Sequence, residues 1–206
     1  MSNNPFSHNG SALVGMVGQG CVALASDMRL GVGFQTISTS FPKIFRMQDN
    51  ILMGLTGLAT DIITFHKKIK HKLEMYRLRE NRDMSARTFA SLIGTTLYEH
   101  RFGPFFVVPI VVGLERDGTA VICTYDSIGT QSTTEKFASA GTASDNFDGL
   151  CESYYRDNLK PDEIGDVLAN ILTSGTDRDI LSGWGGVVYV VTPDYIDVKY
   201  LKGKLV

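Results

Sequence analysis

The chain has 206 residues, of which 43% are hydrophobic and 20% charged, so it can bury a sizeable core without disulfides or metal ions. Its formal net charge of −2 gives no overall field that would recruit nucleic acid or an anionic membrane. The longest apolar run, residues 105–114, is too short to cross a bilayer. The first residues lack the charged and apolar regions of a secretory signal, so we expect neither nucleic acid nor membrane as a partner.

The chain opens with two apolar segments, residues 12–17 and 21–26, which predict two strands joined by a glycine-containing turn at residues 18–20. Both segments lack proline and charge, which favours strands that are buried on both faces. A hairpin brings the start of the first strand beside the end of the second. Ser11 and Asp27 are therefore expected to be neighbours in space.

The next segments predict a loop at residues 28–33, a short polar strand at residues 35–39 and a second hairpin from residues 44–47 and 51–55. A helix should follow, with Thr56 as its N-cap and Asp61 in its first turn. Its apolar stripe consists of Leu58, Ile62, Phe65, Ile69, Leu73 and Tyr76.

Basic side chains cover the opposite face of this helix, between His66 and Lys72. We expect a solvated face or a contact with another subunit, and the alternative is a binding site for an acidic partner. His66 and His71 are expected to be solvated there. The four histidines lack the spacing of metal ligands, and no metal or cofactor is expected. The three cysteines lack CxxC spacing and predict buried or half-buried thiols in a reducing compartment.

The rest of the chain predicts further helix pairs and hairpins. Ser85 is a good N-cap for the second helix, and Pro161 begins a fourth. Strands are expected at 106–114, 120–125, 136–140, 187–191 and 195–201, and a third helix at 145–155. Because the predicted strands form hairpins, the sheets should be mainly antiparallel, and because the helices occur in pairs, each pair can cover one outer sheet face. The sequence therefore predicts an α/β (α+β) fold, a four-layer α/β/β/α sandwich of two mainly antiparallel sheets.

Polar residues at the predicted strand ends could converge on one site. A hydroxyl beside a lysine can act as a nucleophile when the lysine pKa is lowered, and a backbone N–H at a helix start such as Gly57 could stabilise an oxyanion. The alternative is that these side chains are solvated. The candidates are Ser11, Asp27, Lys43, Asp179 and Ser182.

Five longer segments carry a resemblance to a known family. They are residues 54–61, 101–105, 139–145, 151–153 and 177–185. On the basis of these segments, the chain from Gly10 to about Leu201 resembles the β subunits of the proteasome, which have the N-terminal-nucleophile hydrolase fold. The resemblance implies one domain, residues 11–206, preceded by a short leader, residues 1–10.

The resemblance also implies a site. Active members cleave after a glycine, and the freed amine of the following threonine is the general base. Ser11 after Gly10 matches that threonine, and the supporting positions are Asp27, Lys43, Gly57, Thr142, Asp179, Ser182 and Gly183.

Departures from the family pattern argue against activity. Ser11 replaces threonine, Thr142 replaces a serine, and Trp184 is expected to crowd the site. A retained leader would leave the Ser11 nitrogen as an amide, which has no basic lone pair. These positions are therefore expected to be vestigial.

The implied function is a non-catalytic structural β subunit of the 20S core, which degrades ubiquitin-tagged and other unfolded proteins in the cytoplasm and nucleus. The implied partners are type-2 and type-4 β subunits, the α ring and the opposite β ring. The alternative is an active serine-type peptidase that uses Ser11.

Overall fold

A computed structural model describes residues 4–203. The first five strands are β1 (Ala12–Gly18), β2 (Cys21–Asp27), β3 (Leu30–Val32), β4 (Gln35–Ser38) and β5 (Ile44–Gln48). The others are β6 (Ile51–Gly57), β7 (Val107–Leu114), β8 (Ala120–Tyr125), β9 (Gln131–Thr134), β10 (Phe137–Gly141), β11 (Gly186–Val191) and β12 (Ile196–Leu201). The helices are α1 (Pro5–His8), α2 (Ala59–Glu80), α3 (Ala86–Glu99), α4 (Ser144–Tyr154) and α5 (Pro161–Thr176).

Two five-stranded sheets form the centre of the molecule. One has the order β10-β1-β2-β11-β12, the other has the order β5-β6-β7-β8-β9, and all their pairs are antiparallel. The helices α4 and α5 cover the first sheet, and α2 and α3 cover the second. The predicted four-layer sandwich is confirmed.

Three apolar clusters hold these layers together, one between each helix pair and its sheet and one between the sheets. The β1–β2 hairpin contributes to both faces of its sheet. Leu13 and Leu24 point towards the other sheet, whereas Val14 and Ala23 pack under α4 and α5. The absence of charge in these strands, noted from the sequence, follows from this double burial.

Several predicted elements differ from the structure. The predicted loop at residues 28–33 contains β3, which pairs with β4 in a separate two-stranded sheet. Sequence analysis assigned no element to β9 or to α1. β9 is an exposed edge strand, and α1 is a four-residue helix, so neither carries a periodic apolar pattern. The predicted N-cap Ser85 is confirmed, because its side chain accepts from the Thr88 N–H.

The predicted N-cap Thr56 is wrong. Thr56 lies inside β6, where its hydroxyl donates to the Val108 carbonyl at 3.1 Å. The strand continues to Gly57, so α2 begins only at Ala59. Gly57 thus ends a strand and does not start a helix. Among the described residues, no helix is long and apolar enough to span a membrane.

The prediction for His66 is also wrong. Its ring is partly buried and stacks on Phe45, with centroids 4.0 Å apart, whereas His71 is exposed as expected. Burial and, to a lesser extent, the charges of Lys70 and Lys67 lower the pKa of His66. The three cysteines are buried free thiols, as predicted.

Candidate active site

The candidate site lies where β1 begins and β2 ends. Asp27 is fully buried there, and both of its carboxylate oxygens accept hydrogen bonds. Oδ1 accepts from the N–H of Ala12 at 2.8 Å, next to Ser11 in the chain, and Oδ2 accepts from the N–H of Gly183 at 3.2 Å. The hairpin therefore brings Ser11 and Asp27 into one site, as the sequence indicated.

Lys43 enters the site from the start of β5. Its Nζ donates to Asp27 Oδ1 at 2.5 Å, and its side chain is 2% exposed. Burial lowers the pKa of Lys43, and the neighbouring carboxylate of Asp27 partly offsets that effect. A lowered lysine pKa is one requirement for a base that activates a hydroxyl, but here Lys43 donates to Asp27 and not to Ser11.

A second carboxylate organises the other side of the site. Asp179 Oδ2 accepts from the hydroxyls of Thr142 at 2.5 Å and Ser182 at 2.7 Å. Thr142 Oγ1 in turn accepts from the N–H of Ser11 at 3.3 Å. The structure thus connects Ser11 to Asp179 through Thr142, at the position where active relatives were expected to have a serine.

Ser11 itself is 1% exposed, and its Oγ is a buried hydroxyl without a hydrogen-bond partner among the described residues. Its main chain is closely covered by the end of β10. A Cβ on Gly141 would lie 2.2 Å from the Ser11 carbonyl oxygen, so only glycine fits there. The hydroxyl at the nucleophile position is therefore enclosed and not presented to solvent.

Residues 4–10, which belong to the segment predicted to be a leader, lie over this site. A cavity of about 450 Å³ beside Thr142 and Asp179 is lined by Asn4, Phe6 and Ser7. Phe6 also packs edge-on against Phe106, with ring centroids 5.6 Å apart. The predicted leader begins at Met1, but residues 1–3 lie outside the described part of the chain.

Asn9 anchors the leader and was missed by sequence analysis. Its side-chain N–H₂ donates to the Gly31 carbonyl at 2.8 Å, and its Oδ1 accepts from the Ala59 N–H at 2.9 Å. The leader backbone also pairs with the segment around β3, since the His8 carbonyl accepts from Gly33 N–H at 3.0 Å. An asparagine before Gly10 carries no pattern that would have identified this contact.

Trp184 follows the site positions Ser182 and Gly183 and lines a cavity with them and Asp179, while 42% of its side chain is exposed. It does not line the cavity beside Thr142, which Asn4, Phe6 and Ser7 line. Its φ of 55° is in the left-handed region, between two glycines that also have positive φ. The N-terminal segment therefore lies on the Thr142 side of the site, and Trp184 lies on the Ser182 side.

Arg29, which lies between β2 and β3, supports the wall of the site. It is 1% exposed, and its guanidinium donates to the Leu181 carbonyl at 2.8 Å and to the Gly33 carbonyl at 3.0 Å. Sequence analysis did not identify Arg29 as a site residue. Within residues 4–203, no group of His, Cys, Asp and Glu side chains could hold a metal ion.

The sandwich and the set of a buried hydroxyl at a strand start, an aspartate and a lysine define an N-terminal-nucleophile hydrolase type of protein. Comparison with known proteins agrees, because the family model for the proteasome subunit matches residues 7–191. The chain belongs to the proteasome subunit family, and the predicted resemblance is confirmed.

The relatives are similar over nearly their whole length. The chain is 48% identical over 200 residues to "Proteasome subunit beta type-3" of Picea mariana. It is 45% identical over 199 residues to "Probable proteasome subunit beta type-3" of Schizosaccharomyces pombe and 40% identical over 201 residues to the type-3 subunit of Drosophila melanogaster. Each alignment covers 97% of this chain and 98% of the relative.

Proposed function

We propose that this chain is a type-3 β subunit of the 20S proteasome and that it contributes structure, not catalysis. The names of its relatives support the type, and the geometry of the site supports the absence of catalysis. On this proposal, residues 11–206 form one β-subunit domain, residues 1–10 are a retained leader, and Ser11, Asp27 and Lys43 are remnants of a peptidase site.

The observation that carries the proposal is the position of the leader. Asn9 ties it to Gly31 on one side of the site and to Ala59 on the other. Gly10 is fixed as well, because a Cβ there would lie 1.9 Å from the Leu181 carbonyl oxygen. Removing a leader that is held in this way would break these contacts and would therefore cost free energy. While it is attached, the Ser11 nitrogen is an amide that cannot accept a proton.

A second function has an observation in its favour. Lys43, Asp27 and Asp179 are all present around Ser11, although no described residue hydrogen-bonds to its hydroxyl, and burial lowers the pKa of Lys43. A cleaved leader would free the amine of Ser11 and turn the same residues into a serine-type peptidase site. The two functions differ in whether the Gly10–Ser11 bond is cut.

Intact-mass measurement of the subunit from purified particles separates the two functions. We expect a mass that includes the leader, no labelling of Ser11 by a serine-reactive electrophile, and unchanged peptidase activity of particles that carry Ser11→Ala. A mass that begins at Ser11, together with electrophile labelling that Ser11→Ala abolishes, would establish the peptidase instead.

Assembly follows from family membership, and the specific neighbours are part of the proposal. We expect type-2 and type-4 β subunits on either side in the ring, with contacts to the α ring and the opposite β ring. Heterologous contacts of this kind close into a ring when the rotation allows. The expected location is the cytoplasm and nucleus. Native mass spectrometry of subcomplexes released from the particle tests the neighbours.

A further inference from the structure

The two outer helical layers of the molecule carry opposite charge. Residues 59–101, which include α2 and α3, contain nine Lys and Arg residues against five Asp and Glu. Residues 144–179, which include α4 and α5, contain nine Asp and Glu residues against three Lys and Arg. The two layers lie on opposite sides of the sandwich, so the excess charge of one cannot be neutralised by the other within a single chain.

Part of the basic layer is unpaired. Lys67, Lys70 and His71 are exposed on the outer face of α2, a set that we call the basic face. Lys72 pairs with Glu99 at 2.8 Å, whereas among residues 4–203 neither Lys67 nor Lys70 has an ion-pair partner. The nearest acid along the helix is Glu74, which is also exposed.

A groove between α2 and α3 adjoins the basic face. Its volume is about 480 Å³, and its floor is apolar, formed by Met75, Tyr76, Met84 and Leu92. Its other lining residues are the exposed His71, Arg79 and Glu80 and the half-buried Lys72, and Glu80 pairs with Arg82 at 3.7 Å. Methionine side chains adapt to the shape of a partner, so a floor of this composition suits an inserted apolar side chain.

We propose that this groove and the basic face bind an acidic segment of another proteasome subunit, in which an apolar side chain enters the groove and flanking carboxylates face Lys67 and Lys70. The proposal rests on the proposed function, because the partner is another subunit of the same particle. It adds the chemistry of the contact: apolar at its centre and anionic on the side of the basic face.

The same surface is poorly suited to nucleic acid. The phosphate backbone needs a continuous array of cations, whereas Glu74, Glu80 and Glu99 interrupt the array here. An apolar floor is of little use to a phosphate but favours a buried side chain. An acidic protein segment uses both features.

A competition experiment tests the contact in the intact particle. Cells of the source organism express two full-length forms with different tags, one wild type and one K67E/K70E, and particles are isolated through a separate subunit. We expect the variant to be about tenfold under-represented in particles relative to its share of total chain. R116E/K202E is the control, because it reverses two exposed charges elsewhere and should enter in proportion.

A photo-cross-linker placed at Lys70 then identifies the partner. We expect a cross-linked subunit peptide that contains at least two carboxylates near an apolar residue. Equal entry of K67E/K70E and wild type, a cross-link to nucleic acid, or a cross-link to a segment without carboxylates would overturn the contact while leaving the proposed function intact. If the wild-type chain itself does not enter particles, the proposed function fails and the contact fails with it.

Discussion

Lys43 and Asp27 form an ion pair in the interior of the protein, with side chains that are 2% and 0% exposed. Two charges are costly to remove from water, and their mutual attraction offsets that cost only when the pair is well hydrogen-bonded. Asp27 meets this condition through the additional backbone donors Ala12 and Gly183. The pair therefore holds together the start of β1, the end of β2 and the loop before β11, whether or not any catalysis occurs.

Replacing Lys43 by methionine should leave the buried Asp27 carboxylate without its ion-pair partner. We expect Lys43→Met to lower the free energy of unfolding by about 3–5 kcal/mol, measured by urea denaturation of the purified chain. The double variant Asp27→Asn/Lys43→Met also removes the charge of the Asp27 carboxylate and should be more stable than Lys43→Met alone. A loss below about 1 kcal/mol for Lys43→Met would show that solvent or another cation reaches Asp27.

Gly57 should be intolerant of any side chain. Its φ is 119°, and a Cβ would lie 2.1 Å from the Phe106 carbonyl oxygen, a distance that backbone atoms cannot relieve without moving β6 from β7. We expect Gly57→Ala to destabilise the chain by more than about 2 kcal/mol in the same urea assay. Gly103→Ala is the matched control, because no atom lies within 4 Å of its added Cβ, and it should change stability little.

Asn9 should contribute measurably to the stability of the leader segment and of the start of α2. We expect Asn9→Ala to cost about 0.5–2 kcal/mol, because the first N–H of α2 loses its acceptor and the Gly31 carbonyl loses its donor. Hydrogen exchange at the Ala59 amide should accelerate, and proteases should cut the leader faster. Asn170→Ala, at an exposed position of α5, is the control for asparagine replacement. Unchanged exchange at Ala59 in Asn9→Ala would contradict this role.

Sequence patterns were sufficient wherever burial shows in the order of the apolar residues. The stripe of α2 and the apolar face of α5 were predicted because helical burial leaves a repeating signal, and the β1–β2 hairpin was predicted because strands buried on both faces form uninterrupted apolar segments. β3 and β9 were not predicted, since short strands with exposed side chains leave none. Thr56 was misplaced because a hydroxyl that caps a helix and one that bonds across a sheet look alike in sequence.

The candidate site, too, could be predicted only in part from the sequence. Ser11, Asp27 and Lys43 could be located because strand ends and family resemblance point to the same positions. The closure of the site could not, since Asn9 reaches Gly31 and Ala59 across 22 and 50 positions of the chain. Contacts of this separation depend on the assembled fold. Trp184 was expected to crowd the site because of its size, and it lines the cavity formed by Asp179, Ser182 and Gly183.

The buried thiols should make stability fall in alkaline solution. Burial raises the pKa of Cys21 to about 11 and that of Cys151 to about 12, from an ordinary value of 9.0. The unfolded chain therefore loses these protons from about pH 9 upward, while the folded chain keeps them until about pH 11–12. The contribution is fully present below pH 9, so the urea midpoint should decline between pH 9 and 10.5. The variant Cys21→Ala/Cys151→Ala lowers the midpoint at every pH because it leaves cavities, but its decline over this interval should be flatter. Parallel slopes for the two chains would show that both thiols ionise in the folded state at their ordinary pKa.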